Sequence, residues 1–334
     1  MNTEMNLEKI YNPIQKELNK VDELLRRSFK RTRNPSILKV TDYLLESPGK
    51  RLRPALVILS AKATSRRNSP LTACQLTNIA AAMELIHMAS LIHDDVVDHA
   101  PLRHNKPSVN AKWGEDISIA LGDYLNSVGS ELIASCRSAD LLSCISQATK
   151  SMCEGEFVQI CERDNTSLLK EYNIIIVKKK TASLFAASCQ AGAILSECPR
   201  PFESALKAYG LNFGVAFQII DDYMDLVGER ENLGKFPRQD IAMGEMTLPL
   251  LNLLESVTKE ERHQLQRLLK SRDEESLRKV KAWVLKNTKA LSRTKKTTLY
   301  YLNSAKKRLK ALPDSNYKNS LFNLADFMRE RADF

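Results

Sequence analysis

The sequence predicts an all-α fold, and three observations carry that prediction. Glycine is scarce: the chain has 11 glycines in 334 residues, where average usage would give roughly 23. Apolar residues make up 43% of the chain and recur every three or four positions, as on one face of a helix. Runs of β-branched residues, such as residues 174–177, lie inside longer helical periods, so no strand is predicted.

The predicted helices follow one another with proline, glycine and asparagine at the breaks. In chain order they are expected at 7–29, from 35 to about 47, from 54 to about 65, at 71–99, and roughly at 116–136, 138–162, 167–195, 201–227 and 247–270. Residues 71–99 are mostly apolar, so this helix is predicted to be central. No linker rich in glycine, serine or proline divides the chain, and we predict one domain over residues 1–334.

The net charge of +10 belongs to one late segment of the chain. Between Arg278 and Lys310 there are twelve basic residues and no acidic one, so the rest of the protein is nearly neutral. Because the surplus is local, nucleic acid is not a predicted partner. The simpler interpretation of the basic C-terminal part, residues 278–334, is a solvated helical face, and the alternative is a weak hold on anionic lipid at a membrane surface.

The cysteines and the N-terminal residues predict a cytoplasmic protein. The seven cysteines include no C-x-x-C pair and mostly lie in apolar helical context, as reduced thiols do. The first residues include acids and lack the apolar run of a signal peptide. No stretch of about 18 uninterrupted apolar residues is present to span a bilayer.

The motif D-D-x-x-D occurs twice, at residues 94–98 and again at 221–225. On a helix, residues four apart share a face, so Asp94 and Asp98 point the same way, as do the equivalent aspartates of the second motif. A single motif of this kind is most simply a solvated face. Both copies, however, end apolar runs, where carboxylates need a compensating charge. Two such clusters predict Mg²⁺ ions that complete their coordination with a phosphate or diphosphate.

Basic residues that could bind a diphosphate lie near these motifs. Each is most simply a solvated cation when taken alone, but together they flank the two aspartate clusters. They are Lys50, Arg53, Arg103, Lys180 and Lys235.

With these residues in place, the chain resembles the trans-isoprenyl diphosphate synthase, or polyprenyl synthetase, family. The matching segments agree in order and spacing over residues 40–250. They are GKRLRP at 49–54, ELIHMASLIHDDVVD at 84–98, APLRHNKPS at 100–108, GDYL at 122–125, GEFVQ at 155–159, KTASLF at 180–185, FQIIDDYMDL at 217–226, LGK at 233–235 and MTLPL at 246–250. The resemblance implies a single-domain bundle of about 10–13 helices around a central apolar cavity.

The resemblance also implies which residues bind magnesium and the two substrates. Magnesium ions that bridge the allylic diphosphate would be held by Asp94, Asp98 and Asp221. The residues that match positions around that diphosphate and its reacting end are Arg103, Lys180, Thr181, Gln218 and Lys235, of which Lys180, Thr181 and Gln218 are expected to be catalytic. The residues that match the isopentenyl diphosphate site are Lys50, Arg53 and His87, with His104 on the same side.

The implied reaction joins isopentenyl diphosphate to an allylic diphosphate and lengthens the prenyl chain by five carbons. The resemblance also implies a homodimer, which the helices around 115–160 could form. In the family, a bulky aromatic residue about one turn before the first aspartate stops elongation early. Ala89 and Ser90 are small, which predicts a product of about six or more isoprene units, typical of quinone side chains. The alternative interpretation of these two residues is close helix packing.

Three departures from the family pattern lie near the expected substrates. His104 replaces the second of two usual arginines, Glu245 replaces a usual basic residue, and Arg238-Gln239 replaces a usual glycine. Because these changes remove positive charge or loop freedom, they predict weaker binding of isopentenyl diphosphate. The pKa of a histidine lies near neutrality, so this binding could depend on pH.

Two rival functions remain open at the level of sequence. Four of the five histidines fall within residues 87–104 beside acids, which also suits a helical metallophosphohydrolase of the His-Asp type. That hypothesis leaves the second aspartate motif and GKRLRP unexplained. The other rival is a degenerate regulatory subunit of a two-protein synthase, which His104 and Glu245 favour and the intact aspartates do not.

Overall fold

The structure is a computed structural model that describes residues 6–47, 49–65, 72–103, 105–227 and 239–331. Most of these residues are helical, which confirms the all-α prediction. In chain order the elements are α1 (Leu7–Tyr11), a 3-10 turn (Asn12–Ile14), α2 (Gln15–Phe29), α3 (Pro35–Leu45), α4 (Leu52–Thr64), α5 (Ala73–Val97), β1 (Leu102–Arg103), β2 (Lys106–Pro107), α6 (Val109–Trp113), α7 (Glu115–Ser135), α8 (Ala139–Cys161), α9 (Lys170–Val177), a π turn (Lys178–Ala182), α10 (Ser183–Leu195), α11 (Arg200–Val227), α12 (Gln239–Ala242), α13 (Leu248–Leu254), α14 (Lys259–Ser271), α15 (Glu274–Lys286), α16 (Thr288–Leu309) and α17 (Asn316–Arg331).

Side-chain caps fix several of the helix boundaries that the sequence indicates. Asn34 accepts hydrogen bonds from the backbone N–H groups of Ser36 and Ile37, and proline occupies the first position of α3. Thr72 accepts a hydrogen bond from the backbone N–H of Gln75 at the start of α5. Such caps satisfy donors that the first turn of a helix leaves without an intrahelical partner.

The predicted helix at 247–270 is wrong, because the structure has two helices there, α13 and α14. Thr258 and Glu261 form a capping box, in which each side chain accepts a hydrogen bond from the other residue's backbone N–H. The capping box therefore starts α14 as a separate helix, separated by four residues from the end of α13 at Leu254.

The predicted helix at 7–29 is interrupted by the 3-10 turn at Asn12–Ile14, and two other short segments also differ. The helix predicted at 167–195 is present from Lys170 to Leu195, but the π turn interrupts its regular winding. The sequence predicts no strand, whereas β1 and β2 form a small antiparallel pair with Leu102 opposite Pro107. Asn105, with a φ of 60°, makes the turn between them.

The buried centre consists of α4, α5, α10 and α11. Helix α10 packs against α4, α8 and α11, while α5 packs against α4 and α7. Gly192 allows α10 to approach α4 closely, because a Cβ at this position would lie 2.3 Å from the carbonyl oxygen of Val57. GKRLRP therefore lies at the start of a buried helix, and each aspartate motif lies at the end of one.

Buried apolar side chains form one large cluster and two smaller ones, and the half-buried Tyr301 packs against two of the three. The prediction of a single domain stays a prediction. Within the parts of the chain that the structure describes, no helix has the length and apolar character that crossing a membrane requires.

Candidate active site

The first aspartate motif lies at the C-terminal end of α5. Asp94 belongs to the last turn, and Asp98 follows the helix and donates its backbone N–H to the carbonyl oxygen of Asp94 at 2.8 Å. Both side chains are half-buried, whereas Asp95 between them is buried. The helix therefore presents two carboxylates at its end and directs the third inward.

Arg103 lies on β1 and binds the buried carboxylate of Asp95. Its Nε donates to Asp95 Oδ1 at 3.0 Å, and its Nη2 donates to the same oxygen. Burial would lower the pKa of Arg103, but Asp95, and after it Asp94 and Asp221, raise that pKa above its ordinary value. Arg103 thus contacts Asp95 directly, and the charges of Asp94 and Asp221 contribute to the direction of its pKa shift.

Asp98 has a basic partner that the sequence did not single out. Arg163, in the loop after α8, donates from Nη2 to Asp98 Oδ1 at 2.6 Å. Oε1 of Glu245 lies 3.9 Å from the same nitrogen. Burial raises the pKa of the Glu245 carboxyl, with Asp98 adding to the rise. The departure at position 245 therefore lies within this cluster.

The π turn carries Lys180 and Thr181 into the site. A π turn inserts one extra residue into a helix, and such turns are frequent at functional sites. Gly155 of α8 permits the close approach, since a Cβ there would lie 2.3 Å from the backbone nitrogen of Lys180. Lys180 Nζ lies 2.5 Å from Oε2 of Glu156, the neighbour of that glycine.

Lys180 is surrounded by carboxylates. Burial works against the charged ammonium, but Asp94, Glu245 and Glu156 outweigh it and raise the pKa of this lysine. Burial in turn raises the pKa of the Asp94 carboxyl, and Lys180 opposes that rise. Lys180 is therefore held as a cation next to the first aspartate motif.

The second aspartate motif does not present its first and last carboxylates in the same way. Asp221 is exposed, whereas Asp222 and Asp225 are buried. Asp225 Oδ2 accepts a hydrogen bond from the backbone N–H of Asp240 at 3.2 Å. The two end carboxylates of this motif therefore differ in their surroundings, since Asp225 is buried and bonded to the backbone of Asp240, whereas Asp221 is exposed.

Thr181 and Gln218 form a short hydrogen-bonded chain that ends on Asp222. Thr181 Oγ1 donates to Gln218 Oε1 at 2.7 Å, and Gln218 Nε2 donates to Asp222 Oδ1 at 2.7 Å. The buried carboxylate thereby fixes which way the amide of Gln218 faces. The predicted pair Thr181 and Gln218 is brought together in the structure.

GKRLRP forms the turn before α4, where Arg51 has a left-handed φ of 50°. Arg51 donates to Glu84 at 2.7 Å and to Asp22 at 2.8 Å, which anchors the turn to α5 and α2. The neighbouring Lys50 is exposed, and its backbone carbonyl accepts a hydrogen bond from the hydroxyl of Tyr11 at 3.1 Å. These contacts fix the backbone on both sides of the lysine.

Lys50 and Arg53 differ in their surroundings. The atoms packed around Lys50 partly desolvate its ammonium group, although the side chain as a whole is exposed. This desolvation lowers the pKa of Lys50, and Arg331 lowers it further, while Asp221 raises it. Arg53 is buried, with its guanidinium carbon 4.4 Å from the ring centre of Phe185, and burial lowers the pKa of Arg53 to about 10. Lys50 is thus electrostatically linked to the second aspartate motif.

Three predicted residues lie on α5 before the first motif. His87 is half-buried, and its carbonyl oxygen accepts a hydrogen bond from the hydroxyl of Ser90 at 2.9 Å. Ala89 is fully buried. The two remaining predicted residues, His104 and Lys235, lie outside the described residues, as does Arg238.

Glu156 and Arg163 are the residues that sequence reasoning missed. Glu156 belongs to the segment GEFVQ, which matched the family but received no role. No local pattern indicates a role for Arg163, because its partner Asp98 is 65 positions away in the chain. Only the folded arrangement identifies it.

The chemistry of the donors fits a hard divalent cation, because Asp94, Asp98 and Asp221 offer carboxylate oxygens. Among the described residues, no three histidine, cysteine, aspartate or glutamate side chains converge tightly enough to form a closed metal site. Mg²⁺ is commonly held in this way, by one or two carboxylates, with water and substrate phosphates completing its coordination.

The histidines of the first motif do not join the carboxylates that face the site. His93 Nε2 lies 3.3 Å from the carbonyl oxygen of Ile119, on α7. His99 Nδ1 lies 3.7 Å from Oε1 of Glu115, at the start of the same helix. The phosphohydrolase hypothesis needs histidine and aspartate to share a metal, and these contacts give it no support.

The sequence matches the family described as polyprenyl synthetase over residues 34–286. It is 33% identical to a short chain isoprenyl diphosphate synthase of Methanothermobacter thermautotrophicus, over 93% of this chain and 95% of that protein. It is also 33% identical to heptaprenyl diphosphate synthase component 2 of Bacillus subtilis, over 86% of this chain and 81% of that protein. The crystal structure of a polyprenyl synthase from Caulobacter crescentus CB15, complexed with calcium and isoprenyl diphosphate, superposes with a TM-score of 0.92 at 30% identity, covering 98% of this chain and 99% of the other. The chain therefore belongs to the polyprenyl synthetase family of trans-isoprenyl diphosphate synthases and is a prenyltransferase.

Proposed function

We propose that this prenyltransferase condenses isopentenyl diphosphate with an allylic diphosphate to make a polyprenyl diphosphate of about six or more isoprene units. One observation carries the proposal. Arg103 forms an ion pair with Asp95 of the first motif, and the negative charge of Asp221 in the second motif helps to raise the pKa of this arginine, which supports one site shared by the ends of α5 and α11. A site that combines carboxylates with Arg103 and Lys180 suits a diphosphate and the metal ions that accompany it.

In the proposed reaction, the allylic C–O bond breaks and inorganic diphosphate leaves with the electron pair. The double bond of isopentenyl diphosphate attacks the resulting cation, and loss of a proton restores an alkene. Lys180 and Arg103 would stabilise the negative charge that develops on the leaving group. Magnesium held by Asp94, Asp98 and Asp221 would, when bound, neutralise further charge on the diphosphate.

The oriented amide of Gln218 and the hydroxyl of Thr181 support a positioning role near the reacting end of the allylic substrate. Their hydrogen-bonded chain to Asp222 holds both groups in place before substrate binds. Lys50 and Arg53, with His87, would bind isopentenyl diphosphate. The surrounding buried helices would exclude water, which otherwise captures the allylic cation.

The proposed product length depends on Ala89 and Ser90. Ala89 is fully buried, and Ser90 is bonded to its own helix, so neither residue offers a bulky stop near the first motif. The relatives differ in this property, since one is named a short chain synthase and another a heptaprenyl synthase component. A length of about six or more units suits quinone side chains.

We propose a homodimer that forms through α7 and α8. Several large apolar side chains on these helices are exposed, and Phe157 is 70% exposed; the others are Ile117, Ile119, Leu142 and Ile160. Exposed apolar patches of this kind often mark interfaces. The relative named component 2 points to the alternative of a different partner subunit. Light scattering and an activity assay on the purified chain distinguish the homodimer from a complex with a different subunit. An active dimer favours the homodimer, and an inactive monomer favours a different partner subunit.

The seven free cysteines support a cytoplasmic location.

The function is tested by incubating the purified chain with magnesium, farnesyl diphosphate and isopentenyl diphosphate, and by measuring the release of inorganic diphosphate. The proposal expects release only when both substrates are present, one diphosphate for each isopentenyl unit consumed. Release of single phosphates from either substrate alone would instead favour the phosphohydrolase. No release from a folded protein would favour the regulatory subunit.

A further inference from the structure

The outward face of α16 carries a row of exposed residues with helical spacing. We call this row the basic stripe, and it consists of Lys289, Ser292, Lys296, Tyr300, Asn303 and Lys307. Successive members are three or four positions apart, so their side chains lie along one side of the helix. With a rise of 1.5 Å per residue, the stripe is about 27 Å long.

The cations of the stripe are not balanced by nearby acids. Other basic residues of this region form ion pairs: Lys279 lies 2.7 Å from Glu275, and Lys306 lies 2.7 Å from Asp326. Within the described ranges, Lys289, Lys296 and Lys307 form no ion pair, and residues 278–310 contain no acidic residue at all. The stripe therefore presents three lysines without an acidic partner, spread along one exposed side of the helix.

Helix stability does not account for the lysines in the first half of α16. The N-terminal end of a helix favours negative charge, because its backbone N–H groups point outward. Helices α14 and α15 follow this rule, with two glutamates each in the first turn. The first turn of α16 has no acid and contains Lys289 instead. Lys307 lies in the last turn, where the helix dipole stabilises a positive charge, but Lys289 and Lys296 gain no such stabilisation.

Tyr300 places an aromatic ring in the middle of the stripe. The ring is 65% exposed and makes an edge contact with the ring of Tyr301, which packs against the core. Leu285, just before α16, is 45% exposed. Lysine combined with exposed tyrosine and leucine suits the boundary between lipid headgroups and acyl chains, where aromatic residues and basic residues both bind.

We propose that the basic stripe of α16 docks the protein on an anionic lipid surface. The helix would lie flat, with the lysines on the negatively charged headgroups and Tyr300 at their boundary with the acyl chains. The biological purpose of this docking rests on the proposed function, because the proposed product carries an apolar chain that a lipid surface would accept. The docking itself does not require catalysis, so it is tested separately.

The experiment measures binding of the full chain to sedimented vesicles of phosphatidylcholine, with and without phosphatidylglycerol, at two salt concentrations. We expect binding only to the anionic vesicles, and a marked loss at high salt because surface charges are screened. The triple variant K289E/K296E/K307E should bind on the order of a hundredfold more weakly, since each lysine near an anionic surface adds substantially to binding. Y300S should weaken binding without changing the charge.

The matched control is K9E/K16E/K20E, which makes the same change in net charge on exposed lysines of α1 and α2. Equal losses of vesicle binding in the two triple variants would overturn the proposal, because binding would then depend on the net charge of the protein and not on the stripe. Equal binding to neutral vesicles would also contradict it. Tighter binding to duplex DNA or RNA, abolished by the stripe variant, would assign the surface to nucleic acid. Prenyl transfer in solution should be unchanged in the stripe variant, which separates this test from that of the proposed function.

Discussion

Arg163 donates a 2.6 Å hydrogen bond from Nη2 to Asp98 Oδ1 and so fixes the last carboxylate of the first aspartate motif. The loop that carries the arginine is itself anchored, because the backbone N–H of Asp164 donates to the carbonyl oxygen of Gly244 at 2.8 Å. Glu245 follows that glycine and lies 3.9 Å from the guanidinium. The acidic residue at position 245 is thus compatible with its neighbour, where a basic residue would be repelled.

Removing the arginine should affect both stability and metal dependence. We expect Arg163→Met to destabilise the fold by about 2 kcal/mol, since hydrogen bonds to charged groups are worth about this much. The freed Asp98 would be less well positioned, so the magnesium concentration for half-maximal activity should rise. A magnesium titration of activity, together with urea unfolding, measures both effects. Arg278→Met, at an exposed surface pair, is the control and should change neither.

The pairing of Arg163 with Glu245 can be tested by reversing one charge. Glu245→Lys restores the charge that the family pattern has, yet here it would face Arg163 and Lys180. We expect a fall in melting temperature and lower activity. In the double variant Arg163→Met/Glu245→Lys the repulsion from Arg163 is absent. Glu245→Lys should therefore lower the melting temperature less in the Arg163→Met background than in the unaltered protein. Equal costs in both backgrounds would show that the two residues are not coupled.

Gly155 should be intolerant of any side chain. A Cβ at this position would lie 2.3 Å from the backbone nitrogen of Lys180, so Gly155→Ala must push α8 away from the π turn. Such overpacking costs about 1–3 kcal/mol, and displacing Lys180 should lower kcat. Gly129→Ala on α7 is the matched control, because a Cβ there meets its nearest neighbour at 3.5 Å. Thermal unfolding and steady-state kinetics of the two variants make the comparison.

Ala89 should control the length of the product. Ala89→Phe places an aromatic ring at a fully buried position of α5, and we expect shorter polyprenyl products from a folded enzyme. Ser90→Ala keeps a small side chain and should leave the product distribution unchanged. Chromatography of the dephosphorylated products measures the outcome. An unchanged length in a folded Ala89→Phe variant would assign Ala89 to helix packing alone.

The sequence predicts the fold class well, because the signals for helices are local. Helical spacing places Asp94 and Asp98 on one face, and the repeat of the motif points to the pair Asp221 and Asp225, of which the family resemblance singles out Asp221. Sequence spacing cannot distinguish Asp221 from Asp225, since that difference depends on Asp240, which reaches Asp225 from beyond the end of α11.

Other features of the site depend on tertiary contacts that no local pattern encodes. The π turn shifts the register of Lys180, although the surrounding residues have ordinary helical spacing. Arg163 acquires its partner only when the loop after α8 reaches Asp98, and Glu156 acquires its partner only when α8 packs against the π turn. Such contacts join residues distant in the chain, so they become visible only in the folded structure.

If both aspartate motifs serve one prenyl-transfer site, both must be needed to form a labelled product. The purified chain is given farnesyl diphosphate, labelled isopentenyl diphosphate and magnesium, beside the variants Asp94→Asn and Asp221→Asn. We expect labelled polyprenyl diphosphate of about six or more units from the unaltered chain, none after chelation of the metal, and a loss on the order of a hundredfold in each variant. Label in a polyprenyl product that survives both substitutions, or no incorporation by the unaltered, folded chain, would contradict this expectation.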